Sequence, residues 1–109
     1  MSSSLQSFIV AIQLAERRRD AARQAVANLQ NARAAAQGQL DQLQGYAQET
    51  QGRWGASEGR VMQPVVLQHH HQFMGRLEHA IGLQGQVVRT QDQRVAGARP
   101  AGQRGAGPA

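Results

Sequence analysis

The stretch LQSFIVAIQLAERRRDAARQAVANLQNARAAAQGQLDQLQGYAQET, residues 5–50, contains no proline and repeats with a period of seven. With Leu5 at heptad position a, the a positions are Leu5, Ile12, Arg19, Val26, Arg33, Leu40 and Ala47. The d positions are Phe8, Ala15, Ala22, Leu29, Ala36, Leu43 and Thr50. Eleven of these 14 positions are apolar. An apolar repeat of 3.5 residues held over seven heptads specifies a coiled coil rather than a helix on a globular core. Arg19 and Arg33 interrupt the seam, but their aliphatic stems can cover apolar surface while the guanidinium reaches water. Ser3 with Gln6 three residues later reads as a capping box. Helix one is therefore expected over about residues 4–51, roughly 70 Å long at about 1.5 Å per residue.

Beyond it, Gly52, Gly55 and Gly59 fall close together around Trp54, which reads as a loop over residues 52–63. Pro64 suits the first turn of a second helix. From there to about residue 95, Leu67, Met74, Ile81, Val88 and Val95 recur every seven residues, with Leu77 between them. Phe73, Ala80 and Val87 lie beside that line and widen its apolar face. Gly75, Gly82 and Gly85 each weaken the helix by up to about 1 kcal/mol relative to alanine, so the second helix is the softer one. The expected fold is all-α, a long antiparallel two-helix coiled-coil hairpin over residues 1–96. Residues 97–109, GARPAGQRGAGPA, hold nothing that can pack and are expected to be a disordered tail.

The lengths do not match. Helix two should cover helix one only back to roughly Arg19, leaving Leu5, Phe8, Ile9 and Ile12 without a partner in the chain. Either another chain covers them or the second helix has lost a continuation. The second is favoured, because the tail reads like GC-rich sequence in a shifted frame.

Composition narrows the function. In 109 residues, Leu, Ile, Val and Phe number 21 and aromatics make up 4%. That is near the level at which no ordinary globular core can be filled. Alanine and glutamine supply 18 residues each, which suits thin helices. A compact enzyme with a buried pocket is not expected, and no nucleophile, phosphate loop or carboxylate pair in a dry pocket is in sight. Glu49 and Glu58 merely flank the loop. There is no cysteine, so disulfides and thiolate metal sites are excluded. No cofactor is expected. The net charge is +5, and all 12 basic residues are arginine. The charge is spread along the chain without a dense stripe, which disfavours a nucleic-acid reading. No apolar run approaches the roughly 20 residues of a membrane span, and no signal peptide is read. The expected compartment is the cytoplasm.

His69, His70 and His71 invite a metal reading, but neighbours on a helix point about 100° apart. Helical zinc sites use pairs spaced i, i+4, which none of these residues or His79 has. A solvated helix start is the preferred reading. Arg17, Arg18, Arg19 and Arg23 form the densest basic cluster, with Glu16 and Asp20 interleaved at pairing distance. It reads first as a solvated face, second as a surface for an acidic protein, and last as a contact for nucleic acid or lipid. More informative are two stripes with the same spacing, Gln39, Leu43 and Tyr46 on helix one and Phe73, Leu77 and Ala80 on helix two. With a turn at 52–63, both lie in the same half of the hairpin. Tyr46 and Phe73 are two of only four aromatic residues. They either staple the hairpin or form a patch that receives a partner.

The runs LAERRRDAARQAVANLQ (residues 14–30), QLDQLQGYAQE (39–49) and QFMGRLEHAI (72–81) resemble the FliJ family, coiled-coil components of the bacterial flagellar type III export apparatus. The block Q-L-x-x-L-x-x-Y followed, after a Gly-containing loop, by F-x-x-x-L-x-x-A-I carries the resemblance, which spans about residues 5–95. It implies an antiparallel coiled coil similar to the central stalk of rotary ATPases. It implies a non-enzymatic component that couples the export ATPase FliI to the membrane export gate FlhA and escorts export chaperones. It would sit in the cytoplasm, peripheral to the membrane. The family's gate-binding surface falls on Gln39, Leu43, Tyr46, Phe73, Leu77 and Ala80. Thr50 stands where the family can have a second tyrosine, and Gln84 where it can have a histidine. The end bearing both termini, with the cluster Arg17, Arg18, Arg19 and Arg23, would face the ATPase. The Gly/Pro tail replaces the family's longer second helix. A generic coiled-coil adaptor or oligomerisation module, or less readily an Arg-rich helix binding nucleic acid, are the alternative readings.

Overall fold

The computed structural model describes residues 2–56 and 63–99. They form two helices, α1 (Ser2–Ala56) and α2 (Pro64–Ala98), folded back on each other as an extended antiparallel hairpin. At about 1.5 Å per residue the 55 residues of α1 span roughly 82 Å.

The seam follows the heptads. Along α1 the residues withdrawn from solvent include Val26, Leu29, Ala36, Leu40, Leu43, Ala47, Thr50 and Trp54, in steps of three, four and seven. Along α2 they include His70, Met74, Leu77, Ile81, Gln84, Val88, Gln91, Val95 and Ala98, in alternating steps of three and four. These are the a and d positions of two facing stripes. The Trp54 and His70 rings stack face to face at 3.7 Å. In the register this stack sets, Thr50 lies across from Met74, Ala47 across from Leu77, and Ala36 across from Val88. Small residues on α1 thus receive large ones on α2, as interdigitating packing requires. Among the described residues, Ala36, Met74, Leu77, Val88 and Val95 are the buried apolar ones.

Polar residues pin the register. Gln84 donates from Nε2 to the Ala36 carbonyl oxygen at 3.0 Å and to Gln39 Oε1 at 3.1 Å. Arg33, one of the two arginines expected to interrupt the seam, donates from Nε to Asp92 Oδ1 at 2.6 Å. A one-heptad slip would break both links. Polar seam positions specify alignment in this way, at some cost in stability.

The helix ends differ from expectation. α1 starts at Ser2, so Ser3 lies inside the first turn and not at its cap. It also continues through Gly52 and Gly55 to Ala56, where residues 52–56 had been expected in the loop. The reason is Trp54, which falls on the next seam position after Ala47 and Thr50 and gains the stack on His70. That burial outweighs the modest helix penalty of two glycines. α2 begins as expected at Pro64, whose missing N–H costs nothing in a first turn. Gln63 before it is extended, at φ −70° and ψ 138°, as a residue ahead of proline prefers. Its carbonyl accepts from the N–H groups of Val66 and Leu67. α2 ends at Ala98, three residues past the expected Val95. Arg99, also ahead of a proline, is extended at φ −69° and ψ 143°. Gly97 and Ala98, expected in the tail, are therefore helical, and residues 100–109 lie outside the described residues.

Cover on α1 fails about one heptad sooner than expected. Residues 3–25 are all exposed, and Val26 is the first that is not. Arg19, Ala22, Arg23 and Val26 line an open groove with Ala98, where the seam simply runs out.

Candidate partner-binding site

The two expected stripes meet on one flank of the hairpin. Gln39 and Tyr46 occupy g positions of α1, beside the seam residues Leu40 and Ala47. Phe73 and Ala80 occupy the matching positions of α2, beside Met74 and Ile81. In an antiparallel pair these flanks face each other across the seam edge. The Tyr46 and Phe73 ring centroids are 5.8 Å apart with their planes at 86°, an edge-to-face pair.

That pair is only partly withdrawn from water. Tyr46 is 49% exposed and Phe73 39%. Leu77, at 8% exposure, sits in the seam beneath them, and Leu43 is half-buried there too. The six residues thus form two tiers. Leu43 and Leu77 hold the helices together, while Tyr46, Phe73, Gln39 and Ala80 line the outer edge. Gln84 ties the tiers, since its amide holds the Gln39 side chain against α1. Its link was not read from the sequence, where Gln84 stood only as a departure from the family pattern. Its place on the seam, three residues after Ile81, was the available signal. Thr50 is half-buried in the seam, one turn from Tyr46.

The arginine cluster lies far from this flank, on the uncovered part of α1. Asp20 pairs with Arg19 at 3.2 Å, with both side chains more than half exposed. Such a pair contributes little, about 0–1 kcal/mol. Among the described residues no carboxylate lies within ion-pair distance of Arg17, Arg18 or Arg23, so the expected pairing through Glu16 is not formed.

At the opposite end, sequence reading missed the Trp54–His70 stack by placing Trp54 in the loop. His70 turns into the seam, and His71 is tilted beside it at 5.9 Å. Among the described residues no three His, Cys, Asp or Glu side chains converge on a point that could hold a metal ion. No described helix is long and apolar enough to cross a membrane.

No curated relative and no solved structure matches the chain. The family described as flagellar FliJ protein matches it over residues 4–101, which takes in both helices and the whole seam. The chain belongs to the flagellar FliJ family and is a component of flagellar protein export.

Proposed function

We propose that this chain links the export ATPase FliI to the export-gate protein FlhA and escorts export chaperones, without chemistry of its own. The gate would dock on the flank of Tyr46, Phe73, Gln39 and Ala80, with Leu43 and Leu77 supporting it from the seam. The observation that carries this reading is the half-open aromatic pair. A T-shaped pair this exposed leaves apolar ring faces in water, and aromatic residues with a polar tip are what protein interfaces favour. The uncovered end of α1, with Arg17, Arg18, Arg19 and Arg23, is the candidate ATPase side. ATP hydrolysis belongs to the partner, and the hairpin acts as a rod with separate surfaces at its two ends. Because α2 stops at Ala98, ATPase stimulation should be impaired while some gate binding is retained.

Binding of the purified chain to the cytoplasmic parts of FlhA and FliI tests this, with Tyr46→Ala and Phe73→Ala as controls. Gate binding abolished by both substitutions, in chains still helical by circular dichroism, supports the site. Normal ATPase stimulation with no gate binding would reverse the assignment of the two ends.

A further inference from the structure

We propose that the uncovered arm of α1, residues 3–25, pairs with the same arm of a second copy of this chain in an antiparallel coiled coil. The arm is not a neutral stretch of helix. Leu5 is 61% exposed, Phe8 65% and Ile12 44%, and these are its first three seam positions. Ala15, Arg19 and Ala22 are the next three. Set antiparallel, with a positions facing d positions as in the hairpin's own seam, the six fall into self-complementary layers. Leu5 meets the second copy's Ala22, Phe8 meets its Arg19, and Ile12 meets its Ala15. Each apolar layer joins a large residue to a small one, the pattern α1 and α2 already use. The Phe8 layer sets an arginine against an aromatic ring, an attractive arrangement. The arrangement has a two-fold axis between residues 13 and 14, so both copies present the same surface and the contact closes at two chains.

Charge selects this orientation. Residues 2–15 carry no charged side chain, while residues 16–23 carry four arginines and two acids. A parallel pair would place Arg19 against Arg19 and the two basic clusters side by side. The antiparallel pair lays each cluster over the uncharged half of the other arm. The clusters then stand about 20 Å apart at about 1.5 Å per residue. That exceeds twice the Debye length of about 8 Å at physiological salt.

Length fits as well. α2 covers the seam of α1 as far as the Val26–Ala98 layer and stops there. The second copy's Leu5 falls on Ala22, the next layer along. Its arm therefore takes up the groove of Arg19, Ala22 and Val26 where Ala98 leaves it. The result is one continuous two-stranded rod with a hairpin tip at each end, about 130 Å long at about 1.5 Å per residue. While paired, the arm is closed to any other partner, so self-association and docking of this end compete.

The chain has no cysteine, which gives a clean test in the full-length protein. Light scattering on a sizing column at tens of micromolar should give twice the 11.8 kDa chain mass. Phe8→Asp should return it to the chain mass, with the hairpin's helicity kept. Ile12→Cys and Ala15→Cys chains, mixed and mildly oxidised, should cross-link to each other, while Leu5→Cys chains should not cross-link among themselves. The chain mass at every concentration overturns the proposal. So does a Leu5→Cys self-cross-link, which marks a parallel pair, or a dimer that Phe8→Asp leaves intact. None of these outcomes bears on the gate flank, which lies in the other half of the hairpin.

Discussion

A double-mutant cycle on Tyr46 and Phe73 separates the two jobs this pair can do. Complete burial of a large apolar side chain is worth about 1.5–3 kcal/mol. With Tyr46 49% and Phe73 39% exposed, each ring retains about half of that, close to 1 kcal/mol. An edge-to-face pair adds about 0.5–1.5 kcal/mol, and one this open to water belongs in the lower half of that range. Tyr46→Ala and Phe73→Ala should therefore each destabilise the hairpin by about 1.5 kcal/mol in urea unfolding followed by circular dichroism. The double variant should cost about 0.5–1 kcal/mol less than the sum of the singles, because each single already loses the pair. Strict additivity would mean the rings do not meet in solution, and the two-tier description of the flank would fail. The same numbers discipline the binding experiment. For a domain of about 5 kcal/mol stability, a loss of about 1.5 kcal/mol leaves well over nine-tenths of the chains folded. A tenfold or larger loss of gate binding in either single variant then reports on the surface and not on unfolding.

Three other substitutions probe the rest of the hairpin. Leu77→Ala opens a cavity opposite Ala47 and should cost about 2–3 kcal/mol, at the low end for core leucines because the seam is thin, whereas Leu14→Ala on the exposed arm should change urea stability of the hairpin by less than about 0.5 kcal/mol. Gly75→Ala and Gly82→Ala should each stabilise by up to about 1 kcal/mol, since an added Cβ meets nothing within 4 Å at either position and both are already helical; a lower thermal midpoint in the double variant would show that these positions are not helical in solution. Trp54→Ala should remove the near-ultraviolet dichroism of the Trp54–His70 stack and cost about 1–2 kcal/mol, while fraying α1 back toward Thr50; full retention of helix and stability would mean that the stack does not hold the last turn.

Much of this fold was legible because a coiled coil writes its packing into period. With Leu5 at position a, the period alone puts Val26, Leu29, Ala36, Leu40, Leu43 and Ala47 on the seam, and each of them is withdrawn from solvent. What period could not convey was where the seam stops. Local rules read Gly52 and Gly55 as punctuation, yet the tertiary gain at Trp54 overrode them. The end of α2 differs for the opposite reason. Composition changes after Val95, but the backbone is turned only at Arg99, the residue ahead of Pro100. The candidate flank was legible as spacing only. Spacing put Tyr46 and Phe73 in the same half of the molecule, but the division into buried support and exposed edge depends on which side of each seam residue they stand.

That division follows from having only one seam. A helix in a larger bundle can bury a, d, e and g positions, but a helix with a single neighbour buries only a and d well. Tyr46 and Phe73 at g are therefore bound to be half-wet whatever rotamers they choose, and each ring gives the free chain only about half of what full burial would. The hairpin has cheaper ways to join its helices at that height, since Leu77 lies within the seam and the Gln84 hydrogen bonds already set the register. Replacing either ring by a polar residue would leave those links in place. The remaining ring surface is what the proposed partner would remove from water, and it would gain most where the rings are already fixed edge to face.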